Sequence, residues 1–512
     1  MAYGAIALYG LYWAIKAFGQ HHLGDYAVET DFYWKYGPAA AGLKQGRILI
    51  EHFDSKGWGY PVVVAAISAL GVDLFRAGQI VALLSACAAA WFLYRIHRSL
   101  AGPTVALLSV LFLLGNRTFL ENTYEVGTDM FFFALMLGSI ALLLRSGEPK
   151  WKEVLSSGLL GGWAFSTRYN GLFLWPAALL AIVTLRIHRV EARERWRSAG
   201  LWSAGFVLAS LPWLIVNWVH TGNPLTNNNY VNVGYTIYGN GDWDRFFYGG
   251  GRNIHSFGDV VMLDPGRFVA GMGKSAVEHV WRDLTELVPT LWGGLVVLGA
   301  ALLLRERPGN RIGAYVLIGL LYFITLVPVF YGTRFSLPML SLYAILACWP
   351  FASGKLGGRM DGLERVFPVR SFAFLILWAP VAIGAYGWTE NPENPQAVRA
   401  GPYETLPAAA FLKEHASGQA LLARKPHVAY EANMRFVPMP QVGTAAELHK
   451  VAVESGAKYF LVSSMEFGLR AVVRQFAEPG AAIPGFKRVF DSPGALVFEV
   501  LPDSATLEPS PR

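Results

Sequence analysis

The sequence predicts an all-α polytopic membrane domain of about eleven transmembrane helices, followed by a small α/β domain at the C-terminus. Of the 512 residues, 54% are hydrophobic and only 15% are charged, whereas about 25% of the residues of a typical soluble chain are charged. Apolar stretches recur up to residue 388, and most approach the roughly twenty residues that a helix needs to cross a bilayer. Beyond that point the apolar runs are short and alternate with polar residues, as in a soluble domain.

Each predicted membrane helix corresponds to one long apolar window. The windows are 1–18, 76–96, 101–120, 128–145, 153–167, 170–187, 199–219, 288–304, 312–331, 335–352 and 370–388. A shorter apolar run at 58–70 opens with Gly-Trp-Gly-Tyr-Pro, which favours an interfacial or re-entrant helix. The first window has neither a basic region before it nor a small-residue cleavage site, so we do not expect a removable signal peptide.

Lysine and arginine concentrate in alternate loops, which is the pattern of cytoplasmic loops in membrane proteins. The basic loops lie at 95–98, 145–152, 186–197, 305–311 and 355–370. The alternating loops hold one arginine each: Arg117, Arg168 and Arg334. We therefore expect a multi-pass protein of a cell membrane whose first loop (19–57), long loop (220–287) and C-terminus are extracytoplasmic. The net charge of +7 follows from these clusters, so the lipid bilayer is an expected partner and nucleic acid is not.

The predicted domain boundary divides the chain into a transmembrane domain, 1–389, and an extracytoplasmic α/β domain, 390–512. Strands are predicted in the second domain at Ala420–Ala423, Arg435–Pro438, 458–462 and Ala495–Val500. A helix is predicted at 444–455, where Gly456 favours its termination.

The first outer loop contains a group of carboxylates, Asp25, Glu29 and Asp31. Ionisable groups at a membrane are costly unless they face water or one another, so such a group is a candidate functional site. If residues 24–34 are helical, Asp25 and Glu29 share one face and Asp31 points elsewhere. The alternative for Asp25 and Glu29 is a solvated interfacial loop.

Three cations, Lys56, Arg168 and Arg334, are expected near the outer membrane surface. Each arginine could simply extend to lipid headgroups, but together the three suit a lipid-linked phosphate, since guanidinium groups bind phosphate oxygens with two hydrogen bonds. A carboxylate facing an acceptor hydroxyl, beside cations that stabilise a departing phosphate, is suited to glycosyl transfer from a lipid-linked sugar. This chemistry requires no metal and no other cofactor. His21, His22 and His52 lie near the acidic residues in sequence and could bind a metal, but histidines at a polar interface are more often simply solvated.

The long outer loop is rich in asparagine and aromatic residues, among them Asn228 and Tyr230. Amide groups and aromatic faces recognise sugars, so this loop is a candidate acceptor site. The alternative is an aromatic belt packed against lipid.

The order of these features resembles the C-type multi-span glycosyltransferases that use polyprenyl-phosphate sugars. That group contains the protein O-mannosyltransferases and the bacterial aminoarabinose transferases of lipid A. Its members carry a catalytic Asp in the first outer loop, followed about fifteen residues later by a Gly that ends an amphipathic helix; Asp31 and Gly46 have this spacing. The other matching elements are Lys56-Gly57-Trp58-Gly59-Tyr60-Pro61, Thr128-Asp129, Thr167-Arg168-Tyr169-Asn170-Gly171 and Arg334-Phe335-Ser336-Leu337-Pro338.

The resemblance implies that Asp31 is the general base and that Lys56, Arg168 and Arg334 hold the donor phosphate. We expect Tyr60, Asp129 and Asn170, with Asn228 and Tyr230, to bind sugar or acceptor. The family's Asp-Glu pair is Asp31-Phe32 here. The second carboxylate is therefore missing or supplied by Glu29, and Asp25 remains an alternative catalytic residue.

The implied function is transfer of a sugar from a polyprenyl-phosphate donor to an extracytoplasmic glycan, lipid or protein. One alternative is an oligosaccharide ligase or transferase, but the Trp-Trp-Asp-Tyr-Gly type of signature is absent from the sequence. Another alternative is a transporter, which would favour charged or broken helices at mid-membrane and an inverted repeat. Here the charges lie at loop edges and the sequence shows no repeat.

Overall fold

The computed structural model describes residues 1–24, 28–148, 150–188, 190–248, 254–306, 309–351, 369–478 and 480–502. Asp25 lies outside the described residues. The chain forms two compact units. The helical unit comprises Met1–His21, Ala39–Tyr238 and Ile254–Arg399, and the α/β unit comprises His22–Pro38, Gly239–Asn253 and Ala400–Arg512. The sequence-predicted boundary at 389/390 stays a prediction.

Each of the eleven predicted windows overlaps helix, but window 101–120 is divided between two helices that bend by 65°. Among the described residues, the α-helices that precede the first strand of the sheet are Ala2–Gln20, Val28–Asp31, Gly37–Lys44, Gly59–Ser68, Leu74–Ala101, Pro103–Leu114, Arg117–Tyr124, Thr128–Leu143, Trp151–Thr167, Leu174–Leu179, Ala192–Thr221, Tyr230–Tyr238, Trp243–Tyr248, Phe257–Leu263, Pro265–Arg282, Thr290–Glu306, Asn310–Leu326, Thr333–Ser336, Leu340–Cys348, Val369–Glu390 and Leu406–Ala416. Short 3₁₀ turns lie at Ile50–Phe53, Tyr169–Phe173, Leu337–Met339, Trp349–Phe351 and Tyr403–Thr405, and π turns at Phe32–Tyr36, Leu180–Thr184 and Asp283–Leu287.

Four helices among the described residues are long and apolar enough to cross a membrane, and there are six if each of two bent pairs is one span. The four are Leu74–Ala101, Ala192–Thr221, Thr333–Phe351 and Phe372–Glu390. Shorter apolar helices lie at Gly59–Ser68, Thr128–Leu143, Tyr169–Thr184 and Asn310–Leu326. The protein is thus a multi-pass membrane protein, but the predicted number of eleven spans is not confirmed.

Local sequence signals set the ends of the longest early helix, Leu74–Ala101. Its N-cap is Asp73, whose side chain accepts a hydrogen bond from the Arg76 backbone N–H at 2.9 Å, which satisfies one of the free donors of the first turn. The helix ends at Gly102, whose φ of +91° is unfavourable for other residues. Pro103 then begins the next helix. The backbone N–H that proline lacks would have no partner within the helix at this position.

Two helices approach so closely that their contact requires glycine. On helix Trp151–Thr167, a Cβ on Gly158 would lie 2.1 Å from the Trp202 carbonyl oxygen. A Cβ on Gly162 would lie 2.2 Å from the Phe206 carbonyl oxygen. Gly205 of helix Ala192–Thr221 has the reciprocal relation, 2.4 Å from the Leu155 carbonyl. Small residues four apart are the usual means by which membrane helices pack backbone to backbone. The close packing of these two helices fixes the C-terminal end of helix Trp151–Thr167, which Arg168 directly follows.

The α/β unit contains a five-stranded mixed sheet. Its strands are β1 Ala420–Ala423, β2 Arg435–Pro438, β3 Tyr459–Ser463, β4 Phe486–Ser492 and β5 Ala495–Val500, in the order β2-β1-β3-β5-β4. Strands β2, β1 and β3 are parallel, and β5 pairs antiparallel with β3 and β4. Its C-terminal part contains the helices Leu406–Ala416, His427–Glu431, Ala445–Glu454 and Ser464–Leu469 and the 3₁₀ turn Ala471–Ala477, and the unit also includes the earlier helices Val28–Asp31 and Trp243–Tyr248. The core of the sheet is apolar on both faces.

Three predicted strands occur at the predicted residues, and β3 begins one residue later than expected. The predicted helix occupies Ala445–Glu454, because Thr444 and Glu447 form a capping box and Gly456 follows with a φ of +69°. Strand β4 was not predicted, since its sequence Phe-Lys-Arg-Val-Phe-Asp-Ser is interrupted by charges, as is common at a sheet edge.

Candidate functional site

Arg168 and Asp129 form a buried ion pair in the helical unit. Asp129 stands in the first turn of helix Thr128–Leu143, and Arg168 is the residue at which helix Trp151–Thr167 ends. The guanidinium Nη1 donates to Asp129 Oδ1 and, at 3.2 Å, to Thr128 Oγ1. Both residues are buried. Asp129 therefore orients Arg168, because a buried guanidinium needs a paired charge.

The guanidinium groups of Arg168 and Arg334 both contact the aromatic ring of Phe335. Their guanidinium carbons are 5.7 Å and 4.8 Å from the centre of the Phe335 ring. The Tyr322 hydroxyl holds this segment by donating to the Phe335 carbonyl at 2.7 Å, and Asn170 lies beside the same hydroxyl. The structure thus brings together two of the three predicted cations, which are far apart in sequence.

A carboxylate that the sequence analysis missed supports the segment carrying Arg334. Asp283 is fully buried and begins a π turn after helix Pro265–Arg282. Its Oδ2 accepts a hydrogen bond from the Tyr343 hydroxyl at 2.8 Å, and the hydroxyls of Ser336 and Tyr331 lie beside it. A single Asp before an apolar run is typical of a helix start, so the sequence gives no signal for this role.

The segment after Lys56 packs tightly on the end of the helix that precedes Arg168. A Cβ on Gly57 would lie 2.3 Å from the Ser166 carbonyl oxygen, and a Cβ on Gly59 would lie 2.5 Å from Thr167 Oγ1. Only glycine allows this approach. The backbone that follows Lys56 therefore packs against Ser166 and Thr167, the two residues that precede Arg168.

The asparagine-rich part of the long loop is attached to the turn before Lys56. The Asn228 backbone N–H donates to the Asp54 carbonyl at 2.7 Å, and its side-chain amide donates to Asp54 Oδ2 at 2.9 Å. The Asn229 amide donates to the Ser55 carbonyl at 2.8 Å. Asn228 therefore has a structural role at this turn, while Tyr230, half-buried, opens the next helix. Sugar or acceptor binding by either residue stays a prediction.

Tyr60 is fully buried against helix Leu74–Ala101. Its hydroxyl would lie 2.9 Å from a Cβ on Gly78, and its ring centre is 6.2 Å from that of Phe131. The predicted role of Tyr60 in sugar binding is untested, and in this structure the residue contributes to the core.

Glu29 and Asp31 belong to the α/β unit, within the short helix Val28–Asp31. Glu29 is buried, and a Cβ on Gly24 would lie 1.5 Å from its Oε2, so Gly24 lies directly against this carboxylate. Asp31 is half-buried and precedes the π turn Phe32–Tyr36. The two carboxylates thus differ in exposure, and Asp31 is the more accessible of the two. The predicted face shared by Asp25 and Glu29 falls outside the described residues.

Within the residues that the structure describes, no group of three or more His, Cys, Asp or Glu side chains is placed to hold a metal ion.

One protein-family model matches part of the chain. Residues 58–215 match the model of the dolichyl-phosphate-mannose-protein mannosyltransferase family. The matched segment contains Tyr60, Asp129, Arg168 and Asn170. No curated protein matches the chain by sequence.

Similar solved structures share the fold at low sequence identity. ArnT from Cupriavidus metallidurans, bound to undecaprenyl phosphate, is 13% identical with a TM-score of 0.54, and 100% of each chain is covered. The oligosaccharyltransferase AglB from Archaeoglobus fulgidus, with an inhibitory peptide and a dolichol-phosphate, is 12% identical with a TM-score of 0.58, over 91% of this chain and 69% of that one. The mycobacterial arabinofuranosyltransferase AftD is 12% identical with a TM-score of 0.52, over 97% of this chain and 41% of that one.

These findings confirm the resemblance to the C-type glycosyltransferases that use polyprenyl-phosphate sugars. They support a glycosyltransferase fold in a multi-pass membrane protein. The sugar, the acceptor, the catalytic base and the side of the membrane are not given by them.

Proposed function

We propose that this protein is a membrane glycosyltransferase that moves one sugar from a polyprenyl-phosphate donor to an extracytoplasmic glycan, lipid or protein. The observation that supports it most is the pair Arg168 and Arg334, whose guanidinium groups share the Phe335 ring, with Arg168 also held by the buried Asp129. Guanidinium groups fixed in this way bind a phosphate with little loss of side-chain entropy.

The cations serve the leaving group. As the bond between the anomeric carbon and the phosphate oxygen breaks, its electron pair stays on the polyprenyl phosphate. Arg168, Arg334 and Lys56 stabilise the growing negative charge, an effect that is largest where the groups are already oriented and partly dry. Asp129 keeps Arg168 oriented, and Asp283 keeps the Arg334 segment in place.

Asp31 serves the acceptor. Its carboxylate takes the proton of the acceptor hydroxyl while that oxygen forms the new bond to the anomeric carbon. Glu29, being buried beneath Gly24, is less suited to meet a substrate, which favours Asp31. The mechanism requires no metal.

The test is transfer by the purified full-length protein in nanodiscs, with a panel of undecaprenyl-phosphate monosaccharides and a cell-envelope extract as the acceptor source. Asp31→Asn keeps the shape but cannot accept a proton, so we expect turnover to fall by about 10²–10⁴-fold. Asp491→Asn, at an exposed position of edge strand β4 where the carboxylate pairs with Arg488 at 3.0 Å, is the matched control and should stay active.

The two alternatives give different results in the same assay. An oligosaccharide transferase would use a lipid-linked oligosaccharide and ignore the monosaccharide donors. A transporter would release no undecaprenyl phosphate from any donor. An Asp31→Asn protein with wild-type turnover would show that another group is the base.

A further inference from the structure

The segment that carries Asp31 is built into the α/β unit by residues of the unit's C-terminal part. Lys425 lies in the loop after β1, and its Nζ donates a hydrogen bond to Thr30 Oγ1 at 2.8 Å. Thr30 is the residue immediately before Asp31. The contact joins positions 395 residues apart, so it is a tertiary contact and not a feature of the loop alone.

Aromatic side chains extend this contact beyond Asp31. The Tyr430 ring, on helix His427–Glu431, has its centre 5.9 Å from that of Phe32 and 5.3 Å from that of Tyr33. Trp34 meets Phe436 of β2 edge to face at 5.6 Å. The Tyr33–Tyr430 pair is also edge to face, an arrangement that stabilises aromatic contacts beyond the area they bury.

The close approach of the two pieces also depends on a glycine. A Cβ on Gly37 would lie 2.8 Å from Tyr430 Cε2. The π turn Phe32–Tyr36 lies between this glycine and Asp31. Short helices are unstable alone in water, and π turns are rare and costly. The conformation around Asp31 therefore depends on the surface against which it packs.

The loop after β1, which forms part of that surface, is itself held by hydrogen bonds within the α/β unit. The Arg424 backbone N–H donates to Glu466 Oε1 at 2.9 Å, which ties the loop after β1 to the helix after β3. Glu466 Oε2 also accepts from the Ser463 N–H at 2.8 Å, in a capping box. At the other end of the loop, His427 Nε2 lies 3.1 Å from Thr405 Oγ1.

We propose that Lys425 and Tyr430 are positioning residues for Asp31, so that the α/β unit sets the geometry of the catalytic carboxylate. The proposal rests on the proposed function, in which Asp31 is the general base. Tyr430 acts through the segment 28–37 and touches no substrate. A displacement of about 1 Å in a catalytic group can lower a rate by 10²-fold, so loss of the Tyr430 ring should affect turnover more than donor binding.

The first measurement is hydrogen exchange of the backbone amides of residues 28–36 in the full-length protein. We expect exchange to rise at least tenfold in Tyr430→Ala and to stay near wild type in Tyr430→Phe, which keeps the ring. Phe490→Ala is the matched control, because Phe490 stacks on Phe411 in the same unit at 4.8 Å, in a contact that does not involve the segment. Equal exchange in Tyr430→Ala and Phe490→Ala would overturn the proposal.

The second measurement is catalytic. Tyr430→Ala should lower kcat by 10–100-fold, Lys425→Ala by a smaller factor, and both should bind undecaprenyl phosphate within twofold of wild type. In an Asp31→Asn background, Tyr430→Ala should cause no further loss, because it acts through the same carboxylate. Additive losses, or an equal loss of undecaprenyl phosphate binding, would overturn the proposal.

The failure of the proposed function has a different signature. If Asp31→Asn retains wild-type turnover, Asp31 is not the base, whatever the Tyr430 variants do. The exchange measurement then still decides whether Tyr430 orders the segment.

Discussion

The Asp129 carboxylate lies in the first turn of the apolar helix Thr128–Leu143. An acidic residue at this position interacts favourably with the helix dipole. In the structure it is buried and pairs with Arg168, so its carboxylate is committed to a guanidinium. Its predicted role in sugar binding stays untested, while its contribution to the Arg168 site can be measured.

Asp129→Ala should destabilise the protein strongly. It removes the carboxylate that pairs with the buried Arg168 guanidinium, and breaking a buried ion pair costs about 3–5 kcal/mol. The melting temperature in detergent should fall well below that of Asp73→Ala, which removes a helix cap worth about 1 kcal/mol. Equal melting temperatures would mean that water or another group compensates Arg168.

Replacing Arg168 or Arg334 by lysine should weaken donor use without abolishing it. Lysine keeps the charge but loses the planar pair of donors, so we expect the donor KM to rise about tenfold, with larger losses for alanine. Arg117 is not a suitable control, because it is paired with Glu121 at 3.1 Å and lies on the Trp388 ring. Arg193, exposed in the basic loop 186–197, is a better control, and Arg193→Lys should leave KM unchanged. Equal effects at all three positions would refute phosphate binding by the pair.

At the level of elements, the sequence predicts helices well and their contacts poorly. All eleven apolar windows are helical, because a run of apolar residues between basic loops carries its own signal. The glycines at 158, 162 and 205 were not singled out, since glycine is common in membrane helices. Only the structure shows that Cβ atoms there would meet backbone oxygens.

Gly158→Ala should separate the helices Trp151–Thr167 and Ala192–Thr221. The new methyl group would meet the Trp202 carbonyl at 2.1 Å, and overpacking of this kind costs about 1–3 kcal/mol. Gly200→Ala is the control on the second helix, because no atom lies within 4 Å of its Cβ position. It should be neutral or stabilise by up to about 1 kcal/mol. Thermal unfolding followed by tryptophan fluorescence distinguishes the two, and a neutral Gly158→Ala would contradict the tight contact.

In the α/β unit, too, local elements were easier to predict than contacts between distant residues. Gly456, which favours the end of the helix, and the short apolar strands are local signals, so this helix and four of the five strands were predicted nearly to the residue. The docking of residues 28–38 on the loop after β1 joins distant parts of the chain. Neither Lys425 nor Tyr430 carries a local signal of this contact.

On the scale of the whole molecule, the α/β unit constrains how the chain crosses the membrane. Residues 22–38, 239–253 and 400–512 belong to one compact unit, so all three pieces must lie on the same side. The chain must then cross the membrane an even number of times between 38 and 239, and again between 253 and 400. The predicted windows place six spans in the first interval and four in the second, which meets this condition.

Reporter fusions test this parity together with the orientation. Because the basic loops are expected in the cytoplasm, a fusion after Arg197 should report cytoplasm, while fusions after Asn240 and after Gln441 should both report outside. The two outer fusions must agree with each other whatever the orientation, since both positions belong to the α/β unit. Agreement on the cytoplasmic side would reverse the predicted orientation and place Asp31 in the cytoplasm. Disagreement between the two would contradict the compact unit itself, and with it the contact through which Tyr430 is proposed to position Asp31.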